Sequence, residues 1–130
     1  MALLIDVSCY QTFQSPRCLC VHIQRSHWTD TGRLVKRQDL VKFQEEFNVS
    51  SFVYTNRLTE NWKPIMYRLR GVVVHLGSVD SGHFITYRKS CDPDSVEWFY
   101  TSDTYIRSAK IDEVLNNSPY MLFYERSVES

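Results

Sequence analysis

The sequence has no excess of charge of either sign and no long apolar run. Fifteen basic and fifteen acidic residues cancel, so no sequence-wide field draws the chain to nucleic acid or to an anionic membrane. No apolar segment approaches the ~20 residues that span a bilayer. The opening Met1–Asp6 is too short and wrongly charged for a signal peptide. We therefore expect a soluble, intracellular chain that makes no nucleic-acid or membrane contact of its own.

Paired cysteine motifs are also absent. The cysteines, Cys9, Cys18, Cys20 and Cys91, lack the Cys-x-x-Cys spacing of zinc ribbons, and we expect no metal and no cofactor. A chain of this size and core content does not need disulfides, so we expect reduced thiols. Cys18 and Cys20 lie two positions apart on a predicted strand, and we expect both to be buried as small hydrophobic residues.

Repeats and low-complexity segments are absent as well, and 130 residues suffice for one domain with one core. Most of the chain alternates apolar and polar residues and is rich in β-branched and aromatic side chains. This pattern predicts antiparallel strands with little helix. The predicted strands are 17–24, 34–36, 41–43, 67–75, 84–89, 97–101 and 120–125.

One short helix is predicted at Ala109–Asn116. Ser108 is positioned to cap it, acidic residues occupy its early turns, and Val114 belongs to an apolar face. Residues 47–65 show neither period and are predicted to form a connecting loop. The predicted fold class is therefore α+β, with a β-rich antiparallel sheet and one short helix.

The run Val72–Val74 is apolar on both faces of its predicted strand, so both sides of the sheet need cover. One short helix covers little of that surface. We therefore expect part of the core to come from outside these residues.

Two histidines lie eight positions apart in the segment "RGVVVHLGSVDSGHFITYRK". His83 follows Gly82, whose missing Cβ allows another backbone to approach closely. His75 ends an apolar run, as a structural histidine does. A histidine that acts as a general base is oriented by an acceptor on its other ring nitrogen. Ser102 and Asp103 end the next predicted strand, and side-chain alternation favours only one of them facing His83.

Four segments match, in order, the motifs of one known family. The segment "CLCVHIQR" resembles a Leu-x-x-His-Leu-x-Arg strand, and "KRQDLVKF" resembles the Lys-x-x-x-x-Val-x-Phe segment that follows it. The segment "YRLRGVVVHLGSVDSGHFITYR" resembles a histidine box, and "SPYMLFYER" resembles a closing Ala-Tyr-x-Leu-Phe-Tyr-x-Arg strand. Together they resemble the C-terminal half of the ubiquitin-specific proteases, a family of cysteine peptidases. The resemblance implies that 1–130 is the β-rich half of a papain-like catalytic domain, with ubiquitin and ubiquitinated proteins as partners.

The resemblance implies roles for individual residues. His83 falls on the family's general base, and His75 falls on a non-catalytic histidine of the same box. The third triad position, an Asn or Asp in most relatives, falls on Ser102, with Asp103 beside it. A serine hydroxyl accepts the ring N–H but stabilises the imidazolium less than a carboxylate does, because it is neutral. His83 and Ser102 are therefore the expected catalytic residues, and Asp103 is the alternative orienter.

The loop before His83 matches the family's blocking loop, which shapes a channel for the ubiquitin tail. Because that tail ends in two glycines, a channel that admits only glycine selects it by steric exclusion. The resemblance therefore implies substrate-binding roles for a set of loop and strand residues. These are Gly77, Ser78, Ser81, Gly82 and Phe84, the last standing where the family usually has Tyr.

The family's nucleophilic cysteine lies in an Asn-x-Gly-Asn-x-Cys segment at a helix N-terminus, which lowers its pKa. Cys9 lacks that segment and a following helical pattern, and Cys91 lies in an acidic loop that raises a thiol pKa. We therefore expect the nucleophile, and the N-terminal half of the domain that carries it, outside these residues, and the chain alone to be inactive. The Ser102 and Phe84 departures most resemble the family member anchored in the mitochondrial outer membrane, which implies a cytosol-facing location there.

Two alternatives to a complete enzyme site remain open. The neutral Ser102 also fits a catalytically inactive ubiquitin-binding module with a vestigial triad. A β-rich scaffold with coincidental histidines is the other alternative. The favoured interpretation is a cysteine-type deubiquitinase, which hydrolyses the isopeptide or thioester bond after the C-terminal glycine of ubiquitin.

Overall fold

The computed structural model describes residues 15–50 and 63–127. Within them the chain forms nine strands and one short helix. In chain order these are β1 (Cys18–His22), β2 (Ser26–Trp28), β3 (Leu34–Lys36), β4 (Glu46–Asn48), β5 (Met66–Gly77), β6 (Gly82–Lys89), β7 (Trp98–Ser102), β8 (Tyr105–Ala109), α1 (Ile111–Leu115) and β9 (Met121–Arg126).

The main sheet contains seven of these strands, and every pairing in it is antiparallel. Its order is β1-β9-β5-β6-β7-β8, and β4 pairs with the first residues of β5. The strands β2 and β3 form a separate hairpin. This architecture confirms the predicted α+β class, with a strand-rich antiparallel sheet and a short helix.

The twelve-residue β5 lies in the middle of the sheet, where it pairs with β6 on one side and β9 on the other. The register with β9 shifts between Leu69 and Gly71, which marks a bulge. Side-chain alternation resumes after it, so Tyr67 and Leu69 before the bulge and Val72 after it all face the core. Val73 points to the opposite side and is partly exposed.

The core lies on one side of the main sheet. Val114 of α1 is completely buried there, and Trp98 of β7 is 2% exposed. The buried apolar side chains are Ile23, Val49, Tyr67, Leu69, Val72, Val74, Ile85, Tyr87, Trp98, Val114, Leu122 and Tyr124. On the other side of the sheet Val73, Met121 and Phe123 are only partly buried. The helix therefore covers one face, and the second face keeps apolar surface in contact with solvent.

The helix α1 is shorter than predicted. Its N-cap is Lys110, which has extended backbone and makes no side-chain capping bond. The predicted cap at Ser108 is wrong because that residue lies in β8, which runs almost to the first turn. The predicted acidic first turn is confirmed at Asp112 and Glu113. No helix in the described part of the chain is long and apolar enough to cross a membrane.

Other predicted strand boundaries are also wrong. Residues 41–43 form no strand, and their alternation instead reflects Val41 and Phe43 packing against the core from an irregular segment. The chain pairs later, at β4, and neither β2 nor β8 is among the predicted strands. Residues 47–48 of the predicted loop belong to β4. Its residues 51–62 lie outside the described part.

Cys18 and Cys20 are exposed, so the prediction that they are buried is wrong. They do share one face of β1, but Leu19 and Val21 on the other face are the residues that pack against the core. Desolvation of its sulfur and the neighbouring Cys18 raise the pKa of the Cys20 thiol. All three described cysteines are free thiols, as predicted, and Cys9 lies outside the described residues.

Candidate active site

His83 and Ser102 lie at the ends of two neighbouring strands. The paired part of β6 and β7 stops at Thr86 and Thr101. Beyond it, His83 lies near the start of β6 and Ser102 at the end of β7. The His83 Nε2 atom is 2.7 Å from Ser102 Oγ, which is hydrogen-bond distance. The structure therefore brings together the two residues for which the sequence predicts catalytic roles.

The His83–Ser102 hydrogen bond allows the tautomer in which Nδ1 can accept a proton. When Nε2–H donates to the Ser102 oxygen, Nδ1 keeps its lone pair. The His83 side chain is 44% exposed, so the ring is open to solvent and not sealed in the core. An imidazole held in this way can take a proton from a group that approaches Nδ1.

Asp103 lies close to the same ring nitrogen without bonding to it. Its Oδ2 atom is 3.9 Å from His83 Nε2, too far for a hydrogen bond. Asp103 has φ +49° in the two-residue turn between β7 and β8, a conformation that Asp adopts more readily than most residues. The turn therefore leaves Ser102 as the hydrogen-bond partner of Nε2 and Asp103 as a nearby carboxyl group.

The loop between β5 and β6 begins at a glycine that the backbone requires. Gly77 has φ +96°, and a Cβ there would lie 2.6 Å from the Ser81 carbonyl oxygen. The Ser78 amide donates to that same oxygen at 2.8 Å and closes the loop. Ser78 Oγ lies 3.2 Å from both the carbonyl oxygen and the amide nitrogen of Ser81. Three of the predicted substrate-binding residues therefore form one compact turn.

Gly82 faces the Gly77 end of the loop and directly precedes His83. The register pairs Gly77 with Gly82 and Leu76 with His83. A Cβ at Gly82 would clash with the His75 ring at Nε2 and would lie 2.7 Å from the Leu76 carbonyl oxygen. Only glycine therefore fits at this position without a shift. Because Gly82 directly precedes His83, the loop lies beside the His83–Ser102 pair.

His75 fills space under the loop. Its ring packs against Phe84 at 4.7 Å between centroids, and Phe84 packs against Tyr120 at 5.2 Å. Burial, with Lys36 as a further cause, lowers the pKa of His75 and favours the neutral ring. Side-chain alternation places Phe84 on the opposite side of β6 from His83. The structure therefore groups Phe84 with these aromatic rings and not with the His83–Ser102 pair.

Lys36 is a residue of the site that the residue-level predictions missed. Its Nζ donates to the carbonyl oxygen of His75 at 2.8 Å and to that of Gly77 at 2.7 Å. The sequence feature that could have identified Lys36 is its position as the first residue of the Lys-x-x-x-x-Val-x-Phe segment. Local pattern alone does not reveal these contacts, because His75 and Gly77 follow Lys36 by 39 and 41 positions in the chain.

A thiol nucleophile is not part of the described site. The contacts of the His83 ring within residues 15–50 and 63–127 are to Ser102 and Asp103, and none is to a cysteine. The same residues contain no group of three or more His, Cys, Asp or Glu side chains that could hold a metal ion. The described residues thus place an imidazole against a hydroxyl, with no thiol among the ring's described contacts.

The described residues form an antiparallel sheet with one short helix and hold a histidine at a strand end. This fold is the β-rich part of a papain-like hydrolase domain. The chain belongs to the ubiquitin carboxyl-terminal hydrolase family, whose family model matches residues 11–124.

Individual relatives agree with this family. The chain is 37% identical over 123 residues to ubiquitin carboxyl-terminal hydrolase 1 of Arabidopsis thaliana, covering 87% of this chain and 11% of that protein. It is 29% identical to ubiquitin carboxyl-terminal hydrolase 30 of Xenopus tropicalis, covering 85% of this chain and 33% of that protein. A solved structure of the SAGA Ubp8/Sgf11/Sus1/Sgf73 DUB module bound to ubiquitin aldehyde matches with TM-score 0.78 and 30% identity. That match covers 88% of this chain and 25% of the matched chain. The chain thus spans a third or less of each.

Proposed function

We propose that this chain is the C-terminal part of the catalytic domain of a cysteine-dependent deubiquitinase and supplies its general base. The observation that carries the proposal is the 2.7 Å contact between His83 Nε2 and Ser102 Oγ beside a loop that requires glycine at both ends. Family membership over residues 11–124 gives the reaction class. The SAGA DUB module in the matched structure is bound to ubiquitin aldehyde, which supports ubiquitin as the substrate.

The proposed reaction begins at Nδ1 of His83. This atom takes the proton of a cysteine thiol that lies outside the described residues, and the thiolate attacks the carbonyl carbon of the last ubiquitin glycine. The imidazolium then gives its proton to the leaving amine, and a thioester remains. Water, deprotonated by the same ring, hydrolyses the thioester and regenerates the thiol. Ser102 accepts the Nε2–H bond throughout and holds the ring in the required tautomer.

We propose that the β5–β6 loop selects the ubiquitin tail. Gly77 and Gly82 keep the loop close to the strands that it joins, and Ser78 and Ser81 close it. A narrow entry formed in this way admits the two terminal glycines of ubiquitin and rejects larger side chains. Phe84 is 51% exposed in the neighbouring aromatic cluster, and because it lies on the opposite side of β6 from His83, its proposed contact with the tail is made away from the His83–Ser102 pair.

The partly exposed second face of the sheet is proposed to pack against the nucleophile-bearing part of the same domain.

The location proposed is the cytosol-facing surface of the mitochondrial outer membrane, in agreement with the similarity to the Xenopus tropicalis hydrolase 30. Fractionation of cells that express the full-length protein tests this, and recovery entirely in the cytosol would contradict it.

The activity is tested by combining the chain with a separately expressed nucleophile-bearing part of a family catalytic domain. The mixture is expected to release the fluorophore from a ubiquitin C-terminal amide, while neither part alone does so. Binding of ubiquitin without release would favour the alternative of an inactive ubiquitin-binding module, for which the neutral Ser102 is the supporting observation. Absence of both binding and release would contradict the proposal.

A further inference from the structure

Within residues 15–50 and 63–127, no strand pairs with the β9-side edge of β5 beyond Val73. The ladder between β5 and β9 ends at Val73, which pairs with Met121. The Val73 carbonyl still accepts a bond from the Tyr120 amide at 2.7 Å. Because carbonyls two residues apart on a strand point to the same side, those of His75 and Gly77 project from this edge beyond the end of the ladder.

Lys36 lies at this unpaired part of the described β5 edge. Its ammonium group bonds to both projecting carbonyl oxygens, at 2.8 Å for His75 and 2.7 Å for Gly77. Hydrogen bonds from a charged donor are stronger than those between neutral groups. On one edge this end of β5 is paired with β6 as far as Gly77 and Gly82. On its other edge the two carbonyls are bonded by one side chain from β3.

The Lys36 side chain is itself held in place. The Arg37 amide donates to the Arg25 carbonyl at 2.6 Å, which ties the end of β3 to the segment before β2. Arg25 is 6% exposed and its guanidinium donates to the carbonyl oxygens of Asp39 and Pro119. Lys36 therefore extends from an anchored strand end.

We propose that Lys36 is a positioning residue that sets the width of the glycine-lined loop and so determines how strictly the site rejects tails with side chains. The inference rests on the proposed function, because it concerns the same loop and the same substrate. The bonded carbonyls belong to Gly77, where the loop begins, and to His75, whose ring lies against Gly82. Without Lys36 this edge of β5 loses both bonds, and the start of the loop is held by its pairing with β6 and by the Ser78–Ser81 bonds, so the loop is expected to widen.

The His83–Ser102 pair lies on β6 and β7 and does not contact Lys36. Loss of Lys36 is therefore expected to raise KM for the ubiquitin amide with little change in kcat. A loop that is wider accepts a side chain that the native loop rejects. The preference for the natural tail over a ubiquitin whose next-to-last glycine is changed to alanine is expected to fall about tenfold.

The test compares Lys36→Met with Lys36→Arg and with Lys42→Met, which changes an exposed lysine of the same segment. In the assembled enzyme, Lys36→Met should lower the glycine-over-alanine preference, Lys36→Arg should restore part of it, and Lys42→Met should leave it unchanged. A preference unchanged in Lys36→Met, or lowered equally in Lys42→Met, would overturn the proposal.

Amide hydrogen exchange of the full chain tests the same contact without requiring activity. Lys36→Met should speed exchange at the Ser78 and Ser81 amides and leave exchange in the β6–β7 ladder unchanged. Uniformly faster exchange would indicate a general loss of stability and overturn a positioning role, as would no change at all. Because this readout does not depend on ubiquitin, an inactive assembled enzyme would contradict the proposed function while exchange still decides the role of Lys36.

Discussion

Ser102 is a neutral acceptor at a position where a carboxylate would stabilise an imidazolium more strongly. Its hydroxyl fixes the orientation of the His83 ring at 2.7 Å, and the Asp103 carboxylate lies 3.9 Å from the same nitrogen. The Asp103 side chain is 81% exposed, so solvent screens most of its attraction for the ring. At the scale of single residues, orientation by Ser102 is therefore expected to matter more than the charge of Asp103.

Substitution of the two acceptors separates these contributions. Ser102→Ala is expected to lower turnover by about 10- to 100-fold, because the ring loses the bond that sets its tautomer. Asp103→Ala is expected to lower turnover less than Ser102→Ala does. The measurement is kcat for a ubiquitin amide in the assembled enzyme, with thermal unfolding as the control for stability. A loss confined to Asp103→Ala, at normal stability, would show that the carboxylate and not the hydroxyl orients His83.

Part of this site follows from the sequence. His83 stands out because Gly82 precedes it and a predicted strand follows it, and both Ser102 and Asp103 follow the next predicted strand. The family resemblance is what selects Ser102. Local pattern does not decide between Ser102 and Asp103, because the choice depends on the left-handed backbone of Asp103 and on where the β6–β7 ladder stops. Both depend on contacts between strands, which local periodicity does not encode.

At the scale of elements, the β5–β6 hairpin depends on the absence of a side chain at Gly82. The neighbouring strand ends are packed so closely that His75 Nε2 and the Leu76 carbonyl oxygen occupy the space of a Cβ. Gly71 in the same hairpin differs, because a Cβ there meets its nearest atom, the Tyr87 carbonyl oxygen, at an ordinary 3.6 Å. The two glycines therefore provide a matched pair.

Gly82→Ala is expected to destabilise the chain by about 1–3 kcal/mol, because the hairpin must shift to admit the methyl group. Gly71→Ala is expected to be tolerated. Adding His75→Ala to Gly82→Ala should recover part of the loss, since one of the two clashes disappears. Urea unfolding of the full chain compares these three variants with the wild type. Equal stability of Gly82→Ala and Gly71→Ala would contradict the packing described here.

The helix α1 is tied to the sheet by one carboxylate. Glu113 accepts a hydrogen bond from Arg107 at 2.6 Å and another from the Tyr87 hydroxyl at 2.9 Å. The Arg107 guanidinium also lies 4.4 Å from the centre of the Tyr100 ring. The bond from Arg107, followed by the bond from Tyr87, outweighs burial and holds the pKa of Glu113 below its ordinary value of 4.5. The ionised carboxylate is therefore the form that the fold prefers.

This preference predicts a pH dependence of stability. Because the folded-state pKa is lowered, Glu113 contributes stability above its unfolded pKa and loses that contribution as pH falls through the folded value. Between pH 5 and pH 3 the thermal midpoint of the wild type is expected to fall more than that of Glu113→Gln. Glu97→Gln, which changes an exposed carboxylate, serves as the control. Parallel pH profiles for the wild type and Glu113→Gln would contradict the assignment.

At the scale of the whole molecule, the sheet has one covered face and one open face. The sequence indicates this imbalance because Val72–Val74 is apolar on both sides of its strand. The structure buries Val72 and Val74 and leaves Val73 partly exposed beside Met121. The antiparallel class is predictable because period-two alternation extends through β5, β6 and β9. The false strand at 41–43 shows the limit, since side chains that pack on a core alternate even without a pairing partner.

The open face predicts the behaviour of the chain alone. The isolated chain is expected to bind a hydrophobic dye, because partly exposed apolar side chains lie together on one surface. Addition of the nucleophile-bearing part should displace the dye as it covers that face. The measurement is dye fluorescence during titration. A chain that is monomeric, melts sharply and binds no dye would contradict the expectation that this face is covered by the rest of the domain.

The central claim is that the His83 imidazole acts as the base of a ubiquitin hydrolase. The most direct test is ubiquitin release by the assembled enzyme carrying His83→Ala, measured beside its affinity for ubiquitin. If the imidazole is the base, His83→Ala is expected to lower turnover by about 100-fold or more and to retain ubiquitin binding. Undiminished turnover in His83→Ala would contradict it.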